Sequence, residues 1–420
     1  MRKSKFLGIL VLVAFIFTMT FQTTAAPKVK LTIWAVDALA TTNTQAAYVQ
    51  ALVKNFQRQN PDIQIDWVAF GVQGSPLNDK LKIALANNQG PDIFQSWGGS
   101  FMGRFAEAGK LMDLTNELRN IKTSAAARDA MSYKGRIYGV APFFAIAGLF
   151  VNEGKFKELG LKVPTTIDEL ERTAEIIKSK GYQPFACGDK DKWPLLHMYM
   201  YLVNRYGGNI FDQVVARKVR FDSEPFVKAA EKIQEWTRKG YFGNKPLAEG
   251  YGDAQLLMCT GKALMQLSGS WLCGLYTDPK QTDQTIGFYP MPILRGGKGQ
   301  VTDVMGMTDV GFAATKLAAG KKDAVVRFMT YAMSVEACKA ETGRVSSVPG
   351  VPPPTRLTGM ASDVFAQAKT VQFWWDQDLP PTVTGPVNDT IQTFMIPDTN
   401  VRSALSKYES LLEEHLGRVR

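Results

Sequence analysis

Tryptophans outside the regular apolar patterns are the residues of this sequence best suited to ligand chemistry. They are Trp34, Trp97, Trp193, Trp271, Trp374 and Trp375, six of the eight in the chain. A sugar ring offers flat C–H faces to aromatic plates and a rim of hydroxyls to polar side chains. Gln95 and Ser96 directly precede one of these tryptophans, and Asp376 directly follows another. Loop tryptophans can also merely cover the edge of a core, but six together favour a ligand groove.

Sequence motifs for catalysis and metal binding are missing. There is no Gly-x-Ser-x-Gly elbow, phosphate loop, Gly-x-Gly-x-x-Gly turn or His-Glu-x-x-His pair. The chain has only two histidines, His197 and His415, so we do not expect a histidine triad or metal site. Asp189 and Asp191 only weakly suggest calcium, because lysines lie between and after them. We therefore predict no cofactor, no metal and no catalysis. Paired carboxylates of the glycosidase kind have no fixed spacing and stay open as an alternative.

The first 26 residues have the composition of a secretory signal. Arg2, Lys3 and Lys5 form a positive region, residues 6–17 are almost entirely apolar, and residues 23–26 are small. The apolar stretch is shorter than the roughly 20 residues that a bilayer core requires. The pattern predicts export, with cleavage near Ala25 or Ala26.

Size, charge and cysteines limit what the rest of the chain can be. Residues 27–420 exceed what one hydrophobic core usually serves, so we expect two lobes. The formal net charge of the chain is +10, but no run of five or six basic residues indicates nucleic-acid binding. Four widely spaced cysteines exclude a disulfide scaffold. Cys259 and Cys273 could pair in an oxidising compartment, although buried free thiols are the favoured interpretation.

Strand and helix patterns alternate along the chain, which predicts an α/β fold with a mainly parallel sheet in each lobe. Residues 31–34, 63–67 and 91–96 have the pattern of strands, and helices are predicted between them. Thr166 and Glu169 form a capping box that starts a helix in the second half of the chain. Trp67 and Trp236 follow a strand and a helix periodicity, so we expect both in the core. Ligands of open α/β sheets bind beyond the strand ends.

Short motifs in a fixed order carry a family resemblance over nearly all of residues 27–420. They are Leu-Thr-Ile-Trp at 31–34, Asn-Pro-Asp-Ile at 60–63, Gly-Pro-Asp-Ile-Phe at 90–94, Gly-Arg-Ile-Tyr-Gly-Val-Ala-Pro at 135–142, Val-Pro-Thr-Thr-Ile-Asp-Glu-Leu at 163–170, Gly-Lys-Ala-Leu-Met at 261–265 and Gly-Ser-Trp at 269–271. In these motifs the chain resembles the carbohydrate-type extracellular solute-binding proteins of ABC importers, which include maltose- and maltodextrin-binding proteins.

The resemblance implies two lobes built from discontinuous segments, with the ligand in the cleft between them. Residues 27–145 and 301–345 would form lobe 1, residues 146–300 would begin lobe 2, and residues 346–420 would belong mainly to lobe 2. Crossings between lobes are expected near 140–150, 301–311 and 345–354. The implied cleft residues are Trp34, Gln95, Ser96, Trp97, Phe143, Phe144, Trp193, Ser270, Trp271, Asp309, Trp374 and Asp376. For Phe143 and Phe144 hinge packing is an equal alternative, and Asp309 is alternatively a structural cap.

The resemblance also implies a function. A sugar or oligosaccharide would be captured by hinge closure and delivered to the membrane permease of an ABC transporter. Residues 18–27 contain no lipid-attachment cysteine, which favours a freely diffusing periplasmic protein, expected to be a monomer. The basic net charge motivates a second hypothesis, an anionic ligand such as a glycerol phosphodiester. A secreted carbohydrate-active enzyme with paired carboxylates is the alternative of another class.

Overall fold

The computed structural model describes residues 29–36, 44–70, 75–341 and 343–419, with residues 44–47, 75, 76 and 381 described by their backbone alone. The predicted signal segment, residues 1–26, lies outside the described residues. Among the residues described, no helix is long and apolar enough to span a bilayer.

Eleven strands lie in the described part of the chain, and two of them, residues 139–152 and 303–314, are much longer than the others. In chain order they are β1 (Val29–Ala35), β2 (Ile63–Ala69), β3 (Ile93–Gln95), β4 (Ser132–Tyr133), β5 (Arg136–Ile137), β6 (Gly139–Asn152), β7 (Gln183–Phe185), β8 (Ala263–Gly269), β9 (Ile286–Tyr289), β10 (Asp303–Ala314) and β11 (Thr370–Gln372).

Helices alternate with these strands and become the dominant element toward the C-terminus. Within the described residues they are α1 (Thr44–Gln59), α2 (Ser75–Ala86), α3 (Gly99–Glu107), α4 (Thr115–Leu118), α5 (Ala125–Ala130), α6 (Glu153–Glu158), α7 (Ile167–Ser179), α8 (Trp193–Gly207), α9 (Phe211–Val215), α10 (Glu224–Arg238), α11 (Tyr251–Cys259), α12 (Lys322–Ala332), α13 (Val335–Cys338), α14 (Arg356–Gln367), α15 (Trp375–Asp378), α16 (Pro381–Gln392) and α17 (Val401–Leu416).

The main sheet is mixed and follows the order β2-β1-β3-β10-β6-β8-β7. At one end β1 pairs in parallel with β2 and β3, and at the other end β7 pairs in parallel with β8. The pairings of β10 with β3 and of β6 with β10 and β8 are antiparallel. Along this order the parallel pairs lie at the two ends and antiparallel pairs join them, while β11 pairs in parallel with β10 outside this order.

The two long strands, β6 and β10, connect the ends of this sheet. Near its start β6 pairs with the end of β10 beside β3, whereas its last residues pair with β8 and β9. The pairing of β6 with β10 shifts register between Thr308 and Val310, and again between Val310 and Phe312. A third connection runs alongside, where Phe144 N–H donates to Val345 O at 3.0 Å and Ser347 N–H donates to Pro142 O at 3.0 Å. β6, β10 and the segment around Val345 therefore run side by side, and their role as crossings between lobes stays a prediction.

Local sequence signals explain how several helices begin and end. The capping box of Thr166 and Glu169 is present at the start of α7, as predicted. Pro225 lies in the first turn of α10, and Gly240, with a φ of 71°, follows its end. Phe226, Ile233 and Trp236 form the buried stripe of that helix. Trp236 is therefore core, as expected, while Trp67 is half-buried and packs edge-on against Phe312.

All four cysteines are buried free thiols. The favoured interpretation of Cys259 and Cys273 is confirmed, and they do not form a disulfide in this structure. Asp189 and Asp191 act as local hydrogen-bond acceptors: Asp189 Oδ1 accepts from Leu195 N–H at 2.9 Å and Asp191 Oδ2 accepts from Tyr251 N–H at 2.7 Å. The described residues contain no group of three or more His, Cys, Asp or Glu side chains arranged to hold a metal.

Candidate functional site

Five aromatic side chains converge at one place on the molecule, and together we call them the aromatic cluster. Its members are Trp193, His197, Tyr251, Trp271 and Trp374. The ring centroids of Trp193 and Trp271 are 5.9 Å apart, and those of Trp271 and Trp374 are 5.2 Å apart. Trp193 also lies 4.4 Å from Tyr251. Three of the predicted site tryptophans, from segments far apart in sequence, are thus brought into contact.

Four separate elements position the aromatic cluster. Trp193 and His197 lie four residues apart at the start of α8 and so share one face of that helix. Tyr251 is the first residue of α11, and Trp374 directly precedes α15. Trp271 lies in a short 3₁₀ turn after β8 and folds back over Gly269, where a Cβ atom would lie only 2.0 Å from its ring. Glycine at that position is therefore needed for the orientation of Trp271.

Polar atoms of the aromatic cluster fall into two groups. The Trp271 Nε1–H donates to the Tyr251 hydroxyl at 2.7 Å, and that hydroxyl also hydrogen-bonds Ser268 Oγ at 2.7 Å. These bonds fix the orientation of the Trp271 ring. In contrast, the buried atoms His197 Nδ1 and Trp374 Nε1 have no hydrogen-bond partner among the described residues. Burial lowers the pKa of His197 to about 3, so its imidazole is neutral at ordinary pH.

A second group of predicted site residues lies at the ends of β1 and β3, and we call it the N-terminal wall. Its members are Trp34, Gln95, Ser96 and Trp97. Gln95 and Ser96 are buried, and both serve the backbone: Gln95 Oε1 accepts from Val36 N–H at 3.1 Å and Ser96 Oγ accepts from Gly98 N–H at 3.1 Å. The half-buried Trp34 ring lies 5.1 Å from Phe70.

Trp97 links the N-terminal wall to the rest of the molecule. It is half-buried and packs against the hydrophobic core that contains Trp374 as well as the core that contains Phe101. Gly98 follows it with a φ of 77°, and a Cβ atom there would lie 2.2 Å from Ala130 O. The left-handed backbone and this close approach both require glycine, so the turn after Trp97 is fixed locally.

Four predicted site residues lie on or beside the long strands β6 and β10. Phe143 and Phe144 are fully buried, packing against Tyr48 at 4.8 Å and Phe365 at 5.0 Å respectively. They are packed as core residues in this structure, and both their cleft role and their hinge role stay predictions. Ser270 is buried and its Oγ accepts from Ile146 N–H at 3.2 Å.

Asp309, the fourth of these residues, lies in the irregular part of β10. Its Oδ2 is 3.1 Å from the Nε of the buried Arg344, whose Nη1 is in turn 2.9 Å from Glu341 Oε2. Asp309 is therefore ion-paired with Arg344 in this structure, and its role as a cleft residue or as a structural cap stays a prediction.

Helix α15, which directly follows Trp374, contacts α3 in the N-terminal half of the molecule. Ser100 Oγ, in the first turn of α3, donates to the backbone carbonyl of Asp378 in α15. Burial raises the pKa values of Asp376 and Asp378 to about 6. Trp375 is fully buried and stacks on Phe211 at 4.3 Å. The sequence interpretation of six ligand-facing tryptophans is therefore wrong for Trp375, which is core.

Two members of the aromatic cluster, His197 and Tyr251, were not among the predicted site residues. His197 was considered only as a catalytic or metal-binding group. Its spacing of four residues from Trp193 is the signal that could have placed it on the same helix face. Tyr251 stands 20 residues before Trp271, and no sequence spacing connects them, because their contact depends on how α11 packs against β8.

The family follows from comparison with known proteins. Residues 40–337 match the model of the bacterial extracellular solute-binding protein family. This match covers well over half of the chain, so the chain belongs to that family, and the resemblance seen in the sequence is confirmed. The family is one of binding proteins that act outside the cytoplasm.

Relatives and solved structures of similar fold agree with this assignment. The multiple sugar-binding protein of Streptococcus mutans is 26% identical over 318 residues, which are 73% of each chain. The maltotriose-binding protein of Pyrococcus abyssi is 28% identical over 260 residues, which are 59% of this chain and 51% of that protein. A structure from work on xylan utilization by Caldanaerobius polysaccharolyticus has a TM-score of 0.81 at 26% identity, covering 91% of this chain and 99% of that one. The predicted two-lobed α/β fold class is confirmed.

Proposed function

We propose that this protein captures a neutral sugar or oligosaccharide and delivers it to the permease of an ABC importer. The observation that carries the proposal is the convergence of Trp193, Trp271 and Trp374 in the aromatic cluster of a solute-binding protein. Aromatic faces stack on the C–H faces of sugar rings, and neighbouring polar groups bond the hydroxyls. Relatives named for binding multiple sugars and maltotriose support the same ligand class.

The electrostatics of the site favour a neutral ligand over an anionic one. The five members of the aromatic cluster include no lysine or arginine, and its histidine is neutral. Arg344, at the neighbouring crossing, already lies beside two carboxylates, Asp309 and Glu341. A phosphodiester would need a cation to offset its desolvation. The anionic-ligand alternative therefore ranks second.

Binding is proposed to work by closure of the two lobes about the crossings. Residues 27–145 and 301–345 would move as lobe 1, and residues 146–300 with most of 346–420 as lobe 2. The register shifts of β10 next to Thr308 and Val310 interrupt the ladder where bending is required. The bond from Ser100 to the Asp378 carbonyl is a contact that opening of the cleft would break. A ligand held by both walls would favour the closed state through its differential affinity.

The proposal also covers location and assembly. The protein would be a free periplasmic monomer after cleavage near Ala25 or Ala26, because residues 2–26 have the pattern of a signal. N-terminal sequencing of the protein purified from a periplasmic extract tests this part. Its recovery only from detergent-extracted membranes would contradict it.

A thermal-shift panel tests the ligand class. The probes are maltotriose, raffinose, chitobiose, xylobiose, galactose and mannitol, with glycerophosphocholine as the phosphodiester. A ligand present at 100 times its dissociation constant adds about 2.7 kcal/mol to the free energy of unfolding, which raises the melting temperature measurably. We expect at least one sugar to raise it. A shift with glycerophosphocholine and with none of the sugars would reject the proposal. Chromatography of the incubated oligosaccharides tests the enzyme alternative, and shorter products would establish it.

A further inference from the structure

His197 is the most deeply buried of the five members of the aromatic cluster, and it is one of two, with Trp374, whose buried ring nitrogen has no partner among the described residues. The residue is 2% exposed, and its Nδ1 has no hydrogen-bond partner among the described residues. Buried side-chain nitrogens are normally hydrogen-bonded. A histidine that only fills space in a core would be expected to have such a bond.

The neighbours of His197 explain why the protein itself does not supply this bond. The imidazole stacks on Trp374 with 5.0 Å between centroids and 21° between planes, so an aromatic face covers one side. The rings of Trp193 and Trp271 lie at 5.2 Å and 6.1 Å, tilted by 57° and 61°. The Nε1–H of Trp271 is already donated to Tyr251. Three tryptophan rings therefore lie around the imidazole, and its Nδ1 has no hydrogen bond to any of them.

We propose that His197 is a specificity-determining residue whose Nδ1 hydrogen-bonds a hydroxyl of the sugar seated against the tryptophans of the aromatic cluster. This inference rests on the proposed function. A hydroxyl both donates and accepts, so it satisfies either tautomer of a neutral imidazole. A ligand edge without a hydroxyl would leave the buried nitrogen unpaired and would be rejected, as in other sites that bond a substrate polar group.

The neutrality of the ring agrees with this role. Burial lowers the pKa of His197 to about 3, so the same hydrogen-bonding groups face the ligand at any pH above about 4. The half-buried Trp193 and Trp271 form the outer side of the aromatic cluster. A ligand that contacts them approaches His197 from that side.

Calorimetric titration of the full chain with the six sugars of the panel tests the inference. His197→Phe keeps the ring and its stacking but removes both nitrogens, whereas His197→Asn keeps a polar group at the place of Nδ1. For each sugar that the wild type binds, we expect about a tenfold or larger loss of affinity in His197→Phe. We expect His197→Asn to stay within about threefold of the wild type.

Tyr199→Phe is the matched control, because it deletes a buried polar atom from the same helix, where the Tyr199 hydroxyl donates to Phe226 O at 3.0 Å. It should lower stability and leave affinity unchanged. Equal affinity of His197→Phe and the wild type would overturn the inference while the proposed function stands. Failure of His197→Asn to bind better than His197→Phe would also overturn it. A wild type that binds glycerophosphocholine and none of the six sugars would overturn the proposed function itself.

A spectroscopic measurement covers variants that fail to fold. The chain has two histidines, His197 and the exposed His415. In a long-range ¹H–¹⁵N correlation spectrum of the wild type, addition of a bound sugar should move the Nδ1 signal of His197 and leave His415 in place. An unmoved His197 signal in the presence of saturating sugar would overturn the inference.

Discussion

The aromatic cluster and the N-terminal wall differ in how their polar atoms are used. In the N-terminal wall, Gln95 and Ser96 already accept hydrogen bonds from the backbone of Val36 and Gly98. In the aromatic cluster, the buried nitrogens of His197 and Trp374 have no partner among the described residues. The polar side chains of the N-terminal wall are used by the fold, whereas the aromatic cluster has two buried nitrogens that a ligand can hydrogen-bond.

This difference predicts that substitutions in the two regions affect different properties, affinity in one and stability in the other. Substitutions in the aromatic cluster should change affinity more than stability, because three of its rings lie partly exposed and two of its buried nitrogens have no partner among the described residues. Substitutions of the polar side chains in the N-terminal wall should change stability more than affinity, because Gln95 joins β3 to the end of β1 and Ser96 holds the turn at Gly98. Each prediction below tests one side of this comparison.

Trp271→Ala should have the largest effect on binding. The Trp271 ring contacts Trp193 and Trp374 and is half-buried at the edge of the core, so its removal takes away a stacking surface but no fully buried side chain. We expect affinity for a bound sugar to fall tenfold or more, about 1.4 kcal/mol or above. Calorimetric titration measures this loss, and circular dichroism should show a folded protein.

Trp236→Ala is the control for the removal of an indole. Trp236 is fully buried, stacks on Phe185 at 5.7 Å and donates to Glu171 Oε1 at 2.8 Å. Its loss should cost about 3–5 kcal/mol of stability, as large-to-small core substitutions do. Unchanged affinity in Trp271→Ala would return Trp271 to the core and remove the contrast between the regions.

The fold was largely predictable because its elements have local causes. Alternating apolar residues predicted β1 and β2, and the capping box of Thr166 predicted the start of α7. The expected mainly parallel sheets are instead one mixed sheet, since β6 is antiparallel to β8, β9 and β10, and β10 is also antiparallel to β3. Strand direction depends on which segments meet after long separations in sequence, and periodicity does not report it.

The site was predictable in composition but not in detail. Position along the chain distinguishes neither Trp374 from Trp375 nor a cleft residue from a hinge residue. Trp375 is core because α9 places Phe211 against it, and Phe144 is core because α14 places Phe365 against it. The unpartnered nitrogen of His197 likewise results from three distant tryptophans meeting in space. Such contacts arise from tertiary packing, which the spacing of residues does not encode.

Lowering the pH should decrease the free energy of unfolding through the buried His197 of the aromatic cluster. Burial lowers the pKa of His197 to about 3, whereas an unfolded histidine titrates near 6.5. Between these values the unfolded state binds a proton that the native state does not, so this group lowers stability as pH falls. The stability of the wild type relative to His197→Phe should therefore decrease by about 1.4 kcal/mol per pH unit below 6.5.

Urea unfolding at pH 7.5, 6.0 and 5.0 measures this difference in free energy. Asp376 and Asp378, whose pKa values are raised to about 6, have the opposite sign: their contribution is present at low pH and falls as pH rises from about 4 to 6. That contribution is common to both proteins and cancels in the difference. A difference that stays constant from pH 7.5 to 5.0 would show that His197 is not buried as a neutral group.

Gln95→Ala should have the smallest effect, and its effect should fall on stability. The substitution removes the acceptor of the Val36 N–H, a bond of 3.1 Å between the end of β1 and the 2%-exposed Gln95 side chain. We expect a loss of about 1 kcal/mol in the free energy of unfolding, the usual worth of one such bond. Affinity for a bound sugar should change less than about threefold, because the amide is committed to the backbone. Its stability loss should also be the same at pH 7.5 and 5.0, since glutamine does not titrate. If Gln95→Ala instead lowers affinity as much as Trp271→Ala while its stability is unchanged, the amide must leave Val36 to bond the ligand, and the two regions share the work of recognition.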